Sequence, residues 1–479
     1  MHPHLMNAIK RIASKPFEVR FSSSTIPTKK LITTMKSLTE VKLKFRLVAI
    51  GVLGALSLGC DSLRSDFEKI VSDQKKPKVV KVGVLHSQTG TLGMSEMSLR
   101  HAEMLAIEEI NASGELGEVK LDPVVRDGRS RSDIFRRRVR DLIDREKVDV
   151  VFGCWTSADR KAVIDEMENP TPLYVEDRAD LSRKPLLFYP LQYEGNEASR
   201  NVFYFGSTPN QQILPAIDWF LSEQGGSKKR IFLIGSDYIY PRTASYIVKK
   251  YLATKNLEVV GESYAPIGQR DFDPYVSTIR DSKPDLVVNM INGDSNIAFF
   301  RAMKSTIVDA HSLPILSTSV AEDELRRLPP EYTTGHYAAW SYFQSIPSEA
   351  NSRFVGNVKR EFGYDRVTDD PMEAAYLQVY IWKEAFKRAK SSDPLKIRAE
   401  LEKGIEFDAP GGKVKVDPKT HHLFKRFRLG QIRADRQFDI IYESQDWIAP
   451  EPFPSFAFPG WSCDWTQGGL QKGPPVKLD

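Results

Sequence analysis

Cysteine is scarce: Cys60, Cys154 and Cys463 are the three in 479 residues, and they lie far apart. That excludes a disulfide-stapled scaffold, which packs its cysteines densely into a short chain. A bridge between Cys154 and Cys463 and a pair of free thiols both remain open. Histidine is also sparse, eight in all, with no H-E-x-x-H spacing; the H-x-H of His2 and His4 lies ahead of Met35, and the adjacent His421 and His422 would face opposite ways on a strand. No metal site and no cofactor is expected. No G-x-S-x-G elbow occurs, which leaves a serine hydrolase without footing. The "GTLG" at 90–93 lacks the fingerprint glycine spacing, and no Gly-Lys-Ser/Thr is present, so a nucleotide site has no support. Charge of one sign is missing as well: 68 Lys and Arg are finely mixed with 63 Asp and Glu for a net +5, and the basic excess before Arg46 is no binding stripe. Nucleic acid is not an expected partner.

The long hydrophobic run of a spanning helix is absent too. The apolar or small run Leu47–Gly59 falls short of the roughly 20 residues a span requires. It follows Lys36, Lys42, Lys44 and Arg46, and this basic, apolar, small-residue order is that of an export signal. Leu56-Ser57-Leu58-Gly59 before Cys60 resembles a bacterial lipobox, with Ser57 where Leu is usual, which makes Cys60 the expected lipidation site. The segment before Met35 is long and basic for such a signal, so translation is expected to start at Met35. Residues 1–59 are read as signal region and 60–77 as a polar tether.

What the chain has in quantity is alternation. "VVKVGVLHS", "VDVVFG", "VFYFG", "RIFLIGSD" and "PDLVVNMI" are short apolar strands without polar alternation, and helical periodicity follows them at 157–168, 209–224, 242–254 and 295–305. Such strands imply parallel sheets covered on both faces. Their number exceeds one ordinary open sheet, so two Rossmann-like lobes are expected. Helices follow at 348–363, 370–389 and 393–403, then a β-rich stretch, then an irregular tail dense in Pro, Gly and aromatics over 451–479.

In open α/β sheets ligands bind at the carboxyl ends of the strands. The loops there carry hydroxyls, amides, aromatics and single acids: "HSQTGTLG", "GCWTS", "YPLQYEG", "GSDYIYPR" and "NGDSN". In "GCWTSADRKAV" the Thr156–Asp159 spacing fits a helix cap, which is compatible with ligand binding at the same helix N-terminus. Cys154 follows directly on an apolar strand with no histidine near it in sequence, which points to a packed thiol and not to a nucleophile.

"GCWTSADRKAV", "LLFYPLQYEG", "NVFYFGSTPNQQILPAIDWF", "IGSDYIYPRTAS", "NGDSNIAFF", "GHYAAWSYFQS", "DRVTDDPMEAAY" and "FDAPGGKVKVDPKTHH" resemble, in this order, the substrate-binding protein of bacterial urea ABC transporters. That family is similar to the amide-sensing regulators of amidase operons and to the branched-chain amino-acid binding proteins. The resemblance runs from about Lys78 to Asp464. It implies a type I periplasmic-binding fold, α/β, with two Rossmann-like lobes joined by a three-strand hinge. Lobe one would be 78–206 plus 341–425, and lobe two 207–340 plus 426–450. The function implied is no enzyme activity but capture of urea or a short-chain amide by cleft closure, and delivery to ABC permease membrane subunits. The place is the periplasm or cell surface, with a lipid anchor in the membrane. Carried over by position, the ligand site is Trp155, Thr156, Ser157, Tyr189, Gln192, Tyr238 and Tyr240, with Asp294 and Glu373 as acceptors for ligand N–H groups. Two departures stand out. "PTPLYVEDRADLSRKP" at 170–185 is inserted where the family has a few residues, and Leu191–Gln192 replaces the Thr–Pro of the amide sensors. The second favours the urea branch, and the export signal favours transport over the alternative, a sensor module feeding signalling.

Overall fold

The computed structural model describes residues 78–169, 184–306 and 310–476. The signal region, Cys60, the tether and residues 170–183 of the insertion lie outside the described residues. Runs of β-branched and aromatic residues make the strands of a first sheet, and a helix follows each of the first three. These are β1 (Lys78–His86), α1 (Gly93–Ser113), β2 (Val119–Asp127), α2 (Ser132–Asp144), β3 (Val150–Gly153), α3 (Ser157–Glu168), β4 (Leu186–Tyr189) and β5 (Val202–Tyr204). The sheet order is β2-β1-β3-β4-β5, and every pair is parallel. β3 and β4 are buried along their whole length, as strands covered on both faces must be.

The second sheet takes α4 (Ile213–Leu221), β6 (Ile231–Ser236), α5 (Ile239–Ala253), β7 (Val259–Ala265), α6 (Asp273–Ser282), β8 (Leu286–Met290), α7 (Ser295–Thr306), β9 (Ile315–Ser317), α8 (Glu322–Leu325), α9 (Pro330–Thr333) and β10 (Tyr337–Trp340). The chain then returns to the first sheet through α10 (Glu349–Phe362), α11 (Asp370–Ala389) and α12 (Pro394–Leu401), followed by a small antiparallel sheet of β11 (Glu406–Ala409), β12 (Gly412–Val416) and β13 (Leu423–Phe424). α11 begins at an Asp369 cap with Pro371 in its first turn and lays Trp382 into the core shared with Val82, Phe152 and Phe188. Burial of each such side chain contributes roughly 1.5–3 kcal/mol.

The chain finally crosses back as β14 (Arg428–Ile432) and β15 (Phe438–Glu443), giving the order β15-β14-β10-β9-β8-β6-β7. The parallel sheets expected are found, with an antiparallel edge on the second: β14 runs antiparallel to β10, and β15 antiparallel to β14. A short turn at 433–437 joins these two strands, and so short a link permits no parallel crossover. The tail, expected to be irregular, contains a hairpin of β16 (Ser462–Asp464) and β17 (Gly469–Gln471). Asp464 caps its turn by accepting from the Thr466 N–H at 3.0 Å.

Three segments connect the sheets, near 205–208, 341–343 and 425–428, and they are tied to each other. Ser207 and Ser341 share a hydroxyl hydrogen bond of 3.0 Å, Lys425 Nζ donates to the Phe205 carbonyl at 2.9 Å, and Arg428 Nη1 donates to the Ser341 carbonyl. Buried Asp370 accepts the backbone N–H groups of both Ser341 and Tyr342 at 2.9 Å. Asp370→Ala strands both donors, and roughly 2–4 kcal/mol of stability is expected to be lost. Guanidinium denaturation measures this loss.

Candidate functional site

The loops after β3 and β4 meet those after β6, β8 and β9 between the two sheets. Two glycines make the approach possible. Gly153 ends β3 at φ +148°, and a Cβ there would lie 2.1 Å from the Leu85 carbonyl oxygen. A Cβ on Gly206 would lie 1.8 Å from the Leu191 carbonyl, beside Gln192. In both places backbone packs where a side chain would stand.

On the first lobe Thr156 caps α3, accepting from the Asp159 N–H at 3.1 Å and donating its hydroxyl to Asp159 Oδ2 at 2.5 Å. Burial raises the Asp159 carboxyl, against the pull of its Thr156 and Ser132 hydrogen bonds, to about 6. Half-buried Trp155 packs on the lobe's core, and its carbonyl accepts the Tyr189 hydroxyl at 2.6 Å. Ser157 donates to Glu194 Oε2 at 2.6 Å. Arg160, wholly buried, donates to Glu194 Oε1 at 3.0 Å and to Glu197 Oε1 at 2.9 Å, and Lys161 reaches Glu197 Oε2 at 3.0 Å. The guanidinium lies between the Tyr189 and Tyr193 rings, 4.6 and 4.5 Å from their centroids. Behind them Tyr193 donates to His422 Nε2 at 2.5 Å, and His422 Nδ1 faces the Thr420 carbonyl at 2.8 Å, which fixes the tautomer with Nδ1 protonated. Burial drives His422 down to about 3, so the ring is neutral.

The second lobe meets this wall at Thr318. Gln192 Nε2 donates to the Thr318 carbonyl at 3.1 Å, and the Tyr240 hydroxyl pairs with Thr318 Oγ1 at 3.0 Å. A carbonyl only accepts, so the amide's orientation is set and Gln192 Oε1 is an acceptor. That oxygen is buried and has no partner. Tyr238 accepts from Asn292 Nδ2 at 3.0 Å with its ring 6.3 Å from that of Tyr240, and the Tyr189 and Glu194 groups of the first lobe act on it electrostatically.

Seven of the nine positions inferred from the resemblance therefore share one inter-lobe cluster. The other two stand elsewhere. Asp294 is exposed and ion-paired to Arg327 at 3.0 Å, near Ser95 on the rim. Glu373 is buried at the hinge, accepting from the Gly411 N–H at 3.2 Å, and burial raises it, against the pull of Lys425, to about 7. Glu194, Arg160, Asn292 and Thr318 were missed. No local signal marks Glu194 and Arg160, because on sequence both read as solvated charges. The "INGDS" loop, by contrast, carries Asn292 openly beside Asp294.

Cys154 is buried and unpaired, and burial pushes its thiol well up, so no nucleophile stands in the site. Among the described residues no His, Cys, Asp or Glu cluster could hold a metal ion. Two α/β lobes meeting on hydroxyls, amides and aromatic rings form a site suited to holding a small polar solute.

The chain belongs to the periplasmic binding protein family: the family model described as periplasmic binding protein domain matches residues 80–458. Among curated relatives it is similar to Leu/Ile/Val-binding protein homolog 6 of Brucella melitensis, 23% identical over 211 residues, 43% of this chain and 54% of that protein. It is also similar to a protein named limonene hydroxylase of Geobacillus stearothermophilus, 34% identical over 122 residues, 26% of this chain and 22% of that protein. The chain thus spans about half the length of the one and under a quarter of the other. Two solved structures share the fold. One is an R. palustris solute-binding protein in complex with 4-hydroxybenzoate (TM-score 0.64, 21% identity, 78% of this chain and 98% of that chain). The other is LivJ of Streptococcus pneumoniae in complex with isoleucine (TM-score 0.64, 17% identity, 78% and 100%).

Proposed function

We propose that the chain captures urea or a closely related short amide by closing its lobes, and delivers it to an ABC-type permease from a lipid anchor at Cys60. The observation that carries the reading is Gln192 Oε1, a buried acceptor without a partner, on an amide whose Nε2 is held by the Thr318 carbonyl. An amide N–H satisfies such an oxygen, whereas leaving it unpaired costs about 1–3 kcal/mol. Within the buried ion-pair network the charges cancel, Arg160 and Lys161 against Glu194 and Glu197, and Asp159 adds a further carboxyl to the same wall. A neutral ligand keeps that balance, and a net charge brought into the cleft would be buried without a counter-ion. Urea is planar and neutral, with one carbonyl acceptor and two amino donors, which matches a wall of hydroxyls, amides and flat rings. The export signal ahead of Cys60 favours delivery to a permease over a cytoplasmic sensor.

Calorimetric titration of the chain from Asp61 onward with urea, acetamide, formamide, leucine and glutamate tests this. Urea or a short amide is expected to bind and the amino acids are not, while tight leucine binding would overturn the reading. Gln192→Ala is expected to weaken urea binding about tenfold, the equivalent of one hydrogen bond. Cys60→Ser is expected to move the protein from the membrane fraction to the soluble one, and a variant that stays put removes the anchor.

A further inference from the structure

The amide cluster continues into a second space. A groove of about 250 Å³ runs along the flank of the cleft, and Glu194, whose carboxylate holds Ser157 and Arg160, is part of its lining. Gly195 and Asn196 extend that wall on the first lobe, and Ile239 and Thr243 of α5 stand opposite. The remaining wall is the tail, through Phe453, Phe458, Trp461 and Val476, with Lys161 of α3, ion-paired to Glu197, also in the lining.

The tail is fixed in this position from both lobes. Ala457 and Phe458 are buried in the core that includes Ile247 and Leu233, and the Tyr246 hydroxyl donates to the Ala457 carbonyl at 3.3 Å. On the first lobe the Asn196 N–H donates to the Pro452 carbonyl at 2.8 Å, and the Trp465 N–H to the Lys419 carbonyl at 2.8 Å. Trp461 is pinned by its indole N–H, 2.8 Å from the Pro474 carbonyl, and its ring is nearly parallel to that of Phe453, at 6.0 Å and 13°. The outcome is a rigid, flat, aromatic wall. Asn196 Oδ1, like Gln192 Oε1, is a buried acceptor with no partner.

Urea fills none of this space, because it has no apolar part. Flat aromatic walls take a planar ring by offset stacking or edge contact. The orphaned Gln192 Oε1 in the cleft calls for an N–H donor on the ligand, and the aromatic wall of the groove calls for a flat apolar part on the same molecule. We propose that the groove is an aryl subsite of the same cleft, and that the solute is an aryl amide or N-aryl urea. Its carbonyl and N–H groups sit at Ser157, Glu194 and Gln192, and its ring lies against the Phe453–Trp461 wall. The proposal rests on the amide reading above and narrows its substrate class.

The test is calorimetric titration of the exported chain and its Trp461→Ala and Phe453→Leu variants with urea, acetamide, phenylurea, benzamide and benzoate. Phenylurea is expected to bind at least about thirtyfold tighter than urea, the effect of burying one ring. Trp461→Ala is expected to remove about tenfold of that gain and to leave urea and acetamide unchanged, with Phe453→Leu acting the same way should the alanine variant unfold. Phenylurea no tighter than urea overturns the subsite while leaving the short-amide reading standing. Loss of urea and phenylurea binding together in the variants also overturns the subsite, since it assigns the tail a structural role alone. Benzoate binding tighter than benzamide overturns the amide class. No binding of any amide or urea overturns the amide reading itself.

Discussion

Arg160→Met is expected to destabilise the protein by roughly 3–5 kcal/mol, the usual cost of removing one partner from a buried ion pair. The methionine fills much of the same volume, so the cause is charge and not a cavity. Glu194 is 1% exposed and loses the Arg160 donor on its Oε1; Glu197 keeps Lys161 but loses the guanidinium. The Tyr189 and Tyr193 rings also lose the cation between them. The pH dependence separates this mechanism from lost packing. Burial alone would raise the Glu197 carboxyl, but the Arg160 and Lys161 charges outweigh it and hold the group down at about 2. A depressed carboxyl contributes stability that is complete above its unfolded value and is lost as pH falls toward the folded one. In the wild type this contribution therefore fades between about pH 4.3 and pH 2. In the variant burial acts with one counter-charge fewer, so acid costs it less. The stability gap measured by guanidinium denaturation is expected to narrow from pH 7 to pH 3, and a gap that stays constant would assign the loss to packing.

That network also shows where reading the sequence stops. "SADRKAVIDEME" places Arg160 among Asp, Lys and Glu, as on a solvated helix face, yet the side chain is wholly buried. Its partners arrive from 34 and 37 residues further on, after β4, and no local pattern encodes that meeting. Strands such as β3, β5, β6 and β8 were legible because continuous apolar runs have few alternatives in an α/β chain. The antiparallel addition of β14 to β10 was not, because that pairing joins residues some ninety positions apart. The tail read as irregular from its Pro and Gly content, but Phe458 is 5% exposed and belongs to the second lobe's core. Composition reports local chain geometry and not what an aromatic ring finds to pack on. Ser157, Tyr189 and Tyr240 fell together because each lies just past a strand's carboxyl end, where the sheet geometry forces convergence. Glu373, by contrast, sits inside the first turn of α11, and the geometry delivers it to the hinge.

Gly153→Ala is expected to have the other large effect, at the junction between sheet and site. Leu85 and Gly153 are paired partners in the parallel ladder of β1 and β3. A methyl group on Gly153 would stand 2.1 Å from the Leu85 carbonyl oxygen, at a φ of +148° that L side chains rarely adopt. Neither strand can move away, since β1 is held on its other edge by β2 along nine residue pairs, and β3 by β4. The strain is therefore expressed as lost stability, roughly 3 kcal/mol or more, in the range of other steric and backbone violations in packed cores. What relief there is comes from the segment that follows, Cys154–Ser157. Displacing it breaks the Tyr189–Trp155 and Ser157–Glu194 hydrogen bonds together. Two measurements on the same variant distinguish this from simple unfolding. Guanidinium denaturation gives the stability loss, and titration at a temperature where the variant remains folded is expected to show ligand affinity reduced at least about a hundredfold, the equivalent of two lost hydrogen bonds. A folded variant with unchanged affinity would show that the 154–157 turn is not a wall of the binding site.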